Sequence, residues 1–219
     1  KVQTIVHSTK SGEKITIGVT ALQHHLGCTH TSFEIATLLS KNSSVALVIS
    51  DNATIESYAD FYKIASEYAK EGINVNGIDV YPLSRLQDAQ ENYSAVICDI
   101  GYLNEEHERL FKKCNVKIML CSAAEWDISH LIKYVQFPNE SNANYLHQIR
   151  YCFSRVSQSK FIKYNKFLSK SGVVAYRLHN SPEWAKPRTE NMTIYKNILG
   201  SYINLPEGNK KKRKLFRVK

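Results

Sequence analysis

The 219-residue sequence lacks long hydrophobic runs, is modest in glycine and proline, and carries little excess charge outside one end. No stretch approaches the ~18 consecutive apolar residues that a membrane-spanning helix needs, and residues 1–4 lack the start of a secretory signal. The 9 Gly, 5 Pro and 43% hydrophobic residues exclude the collagen, disordered and coiled-coil classes. The composition predicts an ordinary globular chain.

Most of the net positive charge is concentrated at the carboxyl end. The formal net charge is +9, from 29 basic and 20 acidic residues, and residues 208–219 hold seven of the basic groups. Without that segment the chain has 22 basic against 20 acidic residues and is nearly neutral. Any hypothesis about a nucleic acid or an anionic membrane as partner therefore rests on this tail.

The cysteines do not suggest a disulfide framework. There are five of them, an odd number, and they show no repeated spacing. Several lie inside or at the end of apolar runs, where a thiol behaves as a small hydrophobic group. This usage predicts a reducing compartment and a cytoplasmic protein.

Short β-branched runs alternate with longer segments of helical periodicity. The predicted strands are 15–20, 45–49, 78–81, 95–99, 116–121, 146–153 and 173–177. The predicted helices are about 29–41, 55–70, 104–113, 126–136, 158–168 and 188–203. The strands are nearly continuous in apolar character, as expected when both faces are covered. The alternation predicts an α/β fold with a doubly wound, mainly parallel sheet and helices on both faces.

The same pattern divides the chain into three segments. Residues 15–205 form the predicted domain. Residues 1–14 are either an edge strand or the remnant of a linker. Residues 206–219 begin with Pro-Glu-Gly, continue into the basic block and have too few apolar residues to pack, so they are predicted to be disordered.

The loop after the first predicted strand is where an open parallel sheet usually binds a phosphate. Residues 20–31 read Thr-Ala-Leu-Gln-His-His-Leu-Gly-Cys-Thr-His-Thr, and a helix follows. This loop, the second strand ending in Ser-Asp-Asn and the later strand ending in Asp-Ile-Gly resemble the MinD/ParA group of deviant Walker P-loop ATPases. The resemblance covers about 15–203 and implies a P-loop NTPase-like three-layer sandwich.

The resemblance implies a nucleotide site in which the basic residues that contact phosphate are replaced by other residue types. Gln23 and Cys28 stand at two lysine positions of the family, and Cys28 holds the phosphate-binding one. His24 and His25 stand at two glycine positions. The residues implied to contact ATP or ADP are Gln23, His24, His25, Leu26, Gly27, Cys28, Thr29 and His30.

The lost lysine predicts a larger effect on catalysis than on binding. One lost charge-assisted contact costs about 1.5–3 kcal/mol, which weakens binding roughly 10- to 150-fold. Hydrolysis should suffer more, because charge builds on the phosphoryl oxygens in the transition state. We therefore expect ATP or ADP with Mg²⁺ to bind weakly or not at all, and hydrolysis to be weak or absent.

The acidic side of the implied site is retained. Thr29 and Asp99 resemble the Mg²⁺ supports of the family, Asp51 resembles the acidic residue of its second motif, and Asp51 and Asp99 are the catalytic candidates. Each position also has a simpler interpretation. Asp99 would cap a strand end or turn, Thr29 would cap the helix, and Gly27 would supply a left-handed turn.

Other chemistries compete for the same loop. His24, His25, Cys28 and His30 are zinc ligand types, but adjacent histidines point apart and no second cluster completes four ligands. Cys28 at a helix start would act as a nucleophile if His24 or His25 were its base. Trp126 lies near the position where the family binds a base, and it either stacks there or packs between helix and sheet. The segment 178–184 lies near the same position.

The leading functional hypothesis is a degenerate MinD/ParA-like positioning or assembly factor for a membrane-associated machine, close by analogy to the pilus- and secretion-associated CpaE/TadZ-like branch. A homodimer through residues 22–30 is the expected assembly. The tail 210–219 would attach to the inner face of a membrane or to a membrane-complex protein, bind a phosphate backbone, or remain solvated. The alternatives are an active ATPase with a substituted P-loop and a DNA-binding partition protein; the near-neutral body disfavours nucleic acid.

Overall fold

The computed structural model describes residues 14–64, 69–137, 145–204 and 216–217. The strands are β1 (Ile15–Ala21), β2 (Val45–Ile49), β3 (Ile73–Val75), β4 (Ile78–Pro82), β5 (Ala95–Tyr102), β6 (Val116–Cys121), β7 (Ile149–Phe153), β8 (Val174–Arg177) and β9 (Phe216–Arg217). The α-helices are α1 (Cys28–Leu39), α2 (Asn52–Phe61), α3 (Leu86–Asn92), α4 (Glu105–Lys113), α5 (Glu125–Gln136), α6 (Gln158–Lys170) and α7 (Thr189–Leu199). Short 3₁₀ turns occupy Leu83–Arg85, Leu146–Gln148 and Gly200–Asn204.

The nine described strands form one sheet in the order β8-β7-β6-β1-β5-β2-β4-β3-β9. Every pairing is parallel except that of β3 with β4. The strands on either side of β1 are β5 and β6, so the chain order reverses at the centre of the sheet. The predicted doubly wound, mainly parallel α/β fold is confirmed.

The helices cover both faces of the sheet and form two cores. One core holds apolar residues of α1, α2 and α7, with Phe33 and Tyr195 fully buried. The other core holds residues of α3 to α6, with Phe111 and Tyr151 fully buried. Burying one such side chain stabilises the fold by roughly 1.5–3 kcal/mol. Two covered faces explain why the strands lack polar alternation.

A glycine in β1 sets how closely α4 approaches the sheet. A Cβ placed on Gly18 would lie 2.8 Å from Cys114 Sγ and 2.9 Å from a Phe111 ring carbon. Real Cβ atoms essentially never come this close to a neighbour, so any larger residue at position 18 would push α4 away. The second core therefore depends on this position having no side chain.

Two sequence predictions of helices are wrong in detail. The predicted helix 55–70 starts earlier and α2 ends at Phe61, because Lys63 takes a left-handed conformation (φ 55°) and Ile64 N–H closes the end onto Ala59 O. Residues 65–68 lie outside the described part of the chain. The predicted helix 188–203 ends at Leu199, where Gly200 has φ 54°.

The sequence prediction also missed the hairpin of β3 and β4 and the short helix α3. The hairpin turn is Asn76-Gly77, with φ 51° and 88°, and the Asn74 side chain accepts a hydrogen bond from Gly77 N–H at 3.0 Å. An Asn-Gly pair between apolar runs is a strong hairpin signal, so the sequence could have predicted this turn. The three-residue β3 is too short for a periodicity to show.

The chain ends fall largely outside the described residues. This applies to the predicted edge strand or linker up to residue 13 and to the predicted disordered tail, apart from the two residues of β9. Within the described part of the chain, no helix combines the length and the apolar character needed to cross a bilayer.

Candidate functional site

The site begins where β1, β5 and β2 end, at the centre of the sheet. The β1–β5 register shifts between Val19, which pairs with Asp99, and Thr20, which pairs with Gly101. The extra residue is Ile100, and its carbonyl accepts a hydrogen bond from Ser50 Oγ at 3.0 Å. This irregularity lies next to Asp99, as β-bulges beside functional sites commonly do.

A cavity of about 640 Å³ opens at this edge of the sheet, and we name it the loop cavity. It is lined by Gln23, His24, His25, Leu26, Gly27, Cys28, Thr29, Ser50, Asp51, Thr54, Asp99, Ile100, Gly101, Tyr102, Asn104 and His107. The structure thus brings residues 23–29 of the implied nucleotide loop together with Asp51 and Asp99. His30 is not in the lining; its Nε2 lies 3.6 Å from Glu34 Oε1 on the next turn of α1.

Thr29 and Asp99 are joined directly. Thr29 Oγ1 donates a hydrogen bond to Asp99 Oδ2 at 2.5 Å, and Asp99 is 3% exposed. Its other oxygen, Oδ1, is buried and has no hydrogen-bond partner among the described residues. Burial raises the pKa of Asp99 to about 6, the nearby Asp51 charge adds to the rise, and hydrogen bonds from Thr29 and the Gly101 backbone oppose it.

The helix start beside this pair is built by a left-handed glycine. Gly27 is the N-cap of α1 with φ 91°, and no side chain caps the helix. A Cβ on Gly27 would meet nothing within 4 Å, so the backbone conformation and not space requires glycine there. The interpretation of Thr29 as the helix cap is wrong, whereas Gly27 does supply a left-handed turn.

The lining contains no Lys or Arg among the residues that the structure describes. The side chains at the positions where the sequence resemblance implies lysine or glycine contact the protein. His24 stacks on Tyr102 with ring centroids 4.4 Å apart, and Gln23 Nε2 donates to Asp127 O at 3.5 Å. His25 has a left-handed backbone with φ 61°, the region that a glycine would favour.

The geometry of this loop disfavours its two competing chemistries. Cys28 is buried, and burial followed by the Asp99 charge raises its pKa well above the usual range, so the thiolate of a nucleophile is disfavoured. Across the described ranges, no group of three or more His, Cys, Asp or Glu side chains could hold a metal ion. The predicted zinc ligands His24 and His30 make separate contacts, with Tyr102 and Glu34.

Asp51 has a structural contact as well as a place in the lining. It is the N-cap of α2, and its side chain accepts hydrogen bonds from Ala53 N–H at 3.1 Å and Thr54 Oγ1 at 2.6 Å. Capping by Asp stabilises a helix by about 1 kcal/mol. The carboxylate is therefore fixed at the cavity wall by the start of α2.

Sequence reasoning missed several residues of the lining: Ser50, Thr54, Ile100, Tyr102, Asn104 and His107. The strand β5 runs three residues beyond the predicted end at 99, which brings Tyr102 to the cavity. Asn104 accepts a hydrogen bond from His107 N–H at 2.8 Å as the N-cap of α4. An Asn before an acidic helix start is a cap signal that agrees with the predicted helix start at 104.

The two tryptophans lie in different surroundings. Trp126 is 76% exposed, so the interpretation that it packs between helix and sheet is wrong. Trp184, in the segment 178–184, packs against the buried Phe33 with ring centroids 4.4 Å apart. Neither side chain belongs to the lining of the loop cavity.

The donor set of the loop cavity fits Mg²⁺ better than it fits a triphosphate. Magnesium prefers oxygen ligands, and the Thr29 hydroxyl and the Asp99 carboxylate, with its unpartnered Oδ1, provide them. A triphosphate would meet the carboxylates of Asp51 and Asp99 without a Lys or Arg in the described lining. The uncapped start of α1 would be the remaining attraction for an anion.

Solved structures share this fold. MinD from Aquifex aeolicus superimposes with a TM-score of 0.61 at 10% identity, covering 93% of this chain and 100% of that chain. A plasmid partition protein from Borrelia burgdorferi gives 0.58 at 18% identity over 88% and 99% of the two chains. An ATP complex of Cyanothece McdA gives 0.59 at 11% identity over 87% and 98%.

No protein-family model matches the sequence, and no curated protein matches it. The structural likeness therefore shows the fold of the chain. The chain has the P-loop NTPase-like fold of MinD/ParA-type ATPases over nearly its whole described length. At these identities the likeness establishes the fold, while function has to be argued from the site.

Proposed function

We propose that this chain is a MinD/ParA-like positioning or assembly factor that binds ATP or ADP weakly and has little or no ATPase activity. One observation carries the proposal: the loop cavity keeps the Thr29–Asp99 pair but has no Lys or Arg in its described lining. The cavity has oxygen groups that could bind Mg²⁺, but its described lining has no basic side chain that could bind phosphate. Such a site favours loss of hydrolysis before loss of binding.

The fold supports the positioning part of the proposal. The similar structures are described as a MinD cell division protein, plasmid partition proteins and McdA, and one of them is an ATP complex. A protein that moves cargo by switching needs a nucleotide-dependent state. A chain with this weakened grip fits a constitutive scaffold better than a cycling switch.

Calorimetric titration with ATP and ADP in Mg²⁺ tests the nucleotide site. We expect binding at least 10-fold weaker than that of a relative with both lysines, or no binding, and phosphate release at background. The Thr29→Ala variant should lose any Mg²⁺-dependent part of the binding, and Thr193→Ala, an exposed threonine of α7 outside the lining, serves as the matched control. Tight binding with phosphate release that Asp99→Asn abolishes would establish the active ATPase instead.

The assembly part of the proposal is a homodimer through residues 22–30. Support comes from the position of this loop at the mouth of the loop cavity, where a second copy would cover it. Gel filtration with and without ATP and Mg²⁺ measures the assembly directly. We expect a dimer whose population does not depend on nucleotide; a strictly nucleotide-dependent dimer would point to a working switch.

The membrane part rests on the tail 210–219 and its composition. Each basic residue near an anionic bilayer contributes about 1 kcal/mol. The 219-residue chain should sediment with anionic vesicles at low salt, while neutral vesicles and a chain ending at residue 209 should show no binding. Equal sedimentation of both chains would remove the tail from the proposal.

A further inference from the structure

A second cavity lies at the same edge of the sheet and has the opposite charge character. It has a volume of about 360 Å³, and its lining includes Arg155, Arg177, Arg188, His179 and Asn180. We name it the arginine cavity. Its lining residues come from three places along the chain: the loop after β7, the end of β8 with the loop that follows, and the start of α7.

The sequence around this cavity is strongly asymmetric in charge. No Asp or Glu occurs from residue 141 to residue 182, whereas the same segment holds seven Lys and Arg residues. The net charge of the chain without residues 208–219 is nearly neutral, and this average hides the basic segment. Within the described residues, the recorded ion pairs include none from a carboxylate to Arg155, Arg177 or Arg188. Glu190 lies in the first turn of α7, two residues after Arg188, but it forms no ion pair with the three arginines among the described residues.

One of the arginines, Arg177, is held by hydrogen bonds to the protein. Arg177 Nε donates a hydrogen bond to Val156 O at 3.1 Å, and its Nη1 donates to Gln158 Oε1. A guanidinium has five N–H donors, so these bonds hold the group and leave donors for a ligand. Arg155 has a left-handed backbone with φ 53°, an uncommon conformation for a residue with a side chain.

The third arginine adds a helix start to the cavity. Arg188 is the N-cap of the eleven-residue α7, and no side chain caps this helix. The loop that holds His179 is tied to α7, because the buried Asn191 accepts from His179 N–H at 2.8 Å and donates to His179 O at 3.0 Å. The cavity therefore combines three arginines with the N-terminus of α7, and Asn191 holds its neighbouring loop in place. These groups supply hydrogen-bond donors suited to phosphate.

We propose that the arginine cavity binds the phosphate groups of a small phosphorylated ligand. Guanidinium forks match phosphate oxygens in pairs, which is why arginine dominates such sites. The cavity is close to the loop cavity, since Ser154 Oγ, one residue before Arg155, donates to Leu26 O at 3.4 Å. The loop cavity has no basic side chain in its described lining, and the arginine cavity beside it has three. This proposal does not depend on the proposed function.

Titration of the full chain with pyrophosphate, at constant ionic strength, tests the proposal. We expect saturable binding that Arg155→Gln and Arg188→Gln each weaken about 10-fold and that the double variant abolishes. Arg150→Gln, on β7 and outside the cavity, is the matched control. This variant should bind pyrophosphate as the unchanged chain does. Thr29→Ala should also leave pyrophosphate binding unchanged, which separates this site from the loop cavity.

Several results would overturn the proposal. They are no saturable binding of pyrophosphate, equal losses in Arg150→Gln and in the cavity variants, or loss on Thr29→Ala alone. A short DNA duplex is the comparison ligand: binding of the duplex without binding of pyrophosphate would show a nucleic-acid surface and exclude a small-ligand cavity. Because Arg177 also holds Val156, its variant is left out, and thermal melts of the other variants confirm folding.

Discussion

The loop cavity and the arginine cavity lie side by side at the carboxyl edge of one sheet, yet they carry opposite charges. The loop cavity has Asp51 and Asp99 in its lining and no Lys or Arg among its described residues, whereas the arginine cavity has three guanidinium groups and no carboxylate in its described lining. The fold places both where parallel α/β proteins bind ligands. The comparison shows that one edge of a sheet can place an acidic lining and a basic lining next to each other.

A buried polar network connects the helix of one cavity to the loop of the other. On α1, Glu34 Oε2 accepts hydrogen bonds from Tyr195 OH at 2.5 Å and from Asn191 Nδ2 at 3.4 Å. Asn191 in turn holds the His179 backbone at the arginine cavity. Burial alone would raise the pKa of Glu34, but hydrogen bonds from His30, Tyr195 and Ser181 outweigh it, so its pKa is lowered. A charged Glu34 therefore stabilises this network.

The largest expected effect comes from cutting this connection. Asn191→Ala should lower the free energy of unfolding by about 3 kcal/mol, because it leaves the N–H and C=O of His179 without their partner. It should also weaken pyrophosphate binding, since the loop of the arginine cavity loses its brace. Denaturant unfolding and titration measure the two effects.

The matched control is Asn180→Ala, an exposed residue of the same loop that also lines the arginine cavity. Its stability should change by less than about 0.5 kcal/mol. If both variants lost stability equally, the loop would owe its position to something other than the Asn191 bonds, and the connection between the cavities would be refuted.

Asp99→Asn should make the chain more stable near neutral pH. The folded pKa of Asp99 is about 6 against an ordinary value of 3.8, so the stability that its protonated form contributes is present below about pH 4 and is lost as pH rises through 6. The asparagine variant does not ionise and should gain about 2–3 kcal/mol at about pH 8, with no gain at about pH 4. Unfolding curves at both pH values give the comparison.

Asp51→Asn is the control for this experiment. Asn caps a helix about as well as Asp, so stability should hardly change at about pH 4, and the gain at about pH 8 should be smaller than that of Asp99→Asn because the Asp51 charge is a minor cause of the raised Asp99 pKa. A gain from Asp99→Asn that was the same at both pH values would show that the carboxylate is not the destabilising group. Because Mg²⁺ favours the ionised carboxylate, adding it should reduce the gain if the cation binds there.

A cation placed in the loop cavity should strengthen its attraction for nucleotide. Cys28→Lys, at the position where the sequence resemblance implies a lysine, should tighten ATP binding by about 1.5–3 kcal/mol, or 10-fold or more, while the arginine cavity keeps its affinity for pyrophosphate. Cys28→Met, of similar length and without charge, controls for filling the site. Equal affinities of the two variants would mean that the histidines, and not the missing charge, keep nucleotide out.

The sequence allowed much of the fold to be predicted because both faces of the sheet are covered. Strands such as 45–49 and 116–121 are continuous apolar runs, and their bounds match the structure. The break in the predicted helix 55–70 after Phe61 was missed, because the left-handed residue that ends α2 is Lys63 and not a glycine, whereas Ala69 is again helical. Local patterns show periodicity, but a backbone reversal at an ordinary residue depends on tertiary contacts.

The site was predictable in part for a different reason. The order of Gly27, Thr29 and Asp99 along the chain placed them at one edge of the sheet, and the Thr29–Asp99 hydrogen bond joins them there. The arginine cavity escaped prediction because Arg155, Arg177 and Arg188 are spread over three elements and share no motif. A net charge averaged over the body also hid the acid-free segment, which a windowed charge count would have revealed.

The smallest effect we predict concerns the hydroxyl that faces Asp99. Thr29→Val keeps the shape of the side chain and removes the donor to Asp99 Oδ2, so the pKa of Asp99 should rise further and stability at about pH 8 should fall by about 1.5 kcal/mol. Thr29→Ser keeps the hydroxyl and should behave as the unchanged chain. Carbon NMR titration of the Asp99 carboxyl follows the pKa directly. A pKa of Asp99 that moved equally in both variants would show that packing around β5, and not this hydrogen bond, sets the charge of the loop cavity.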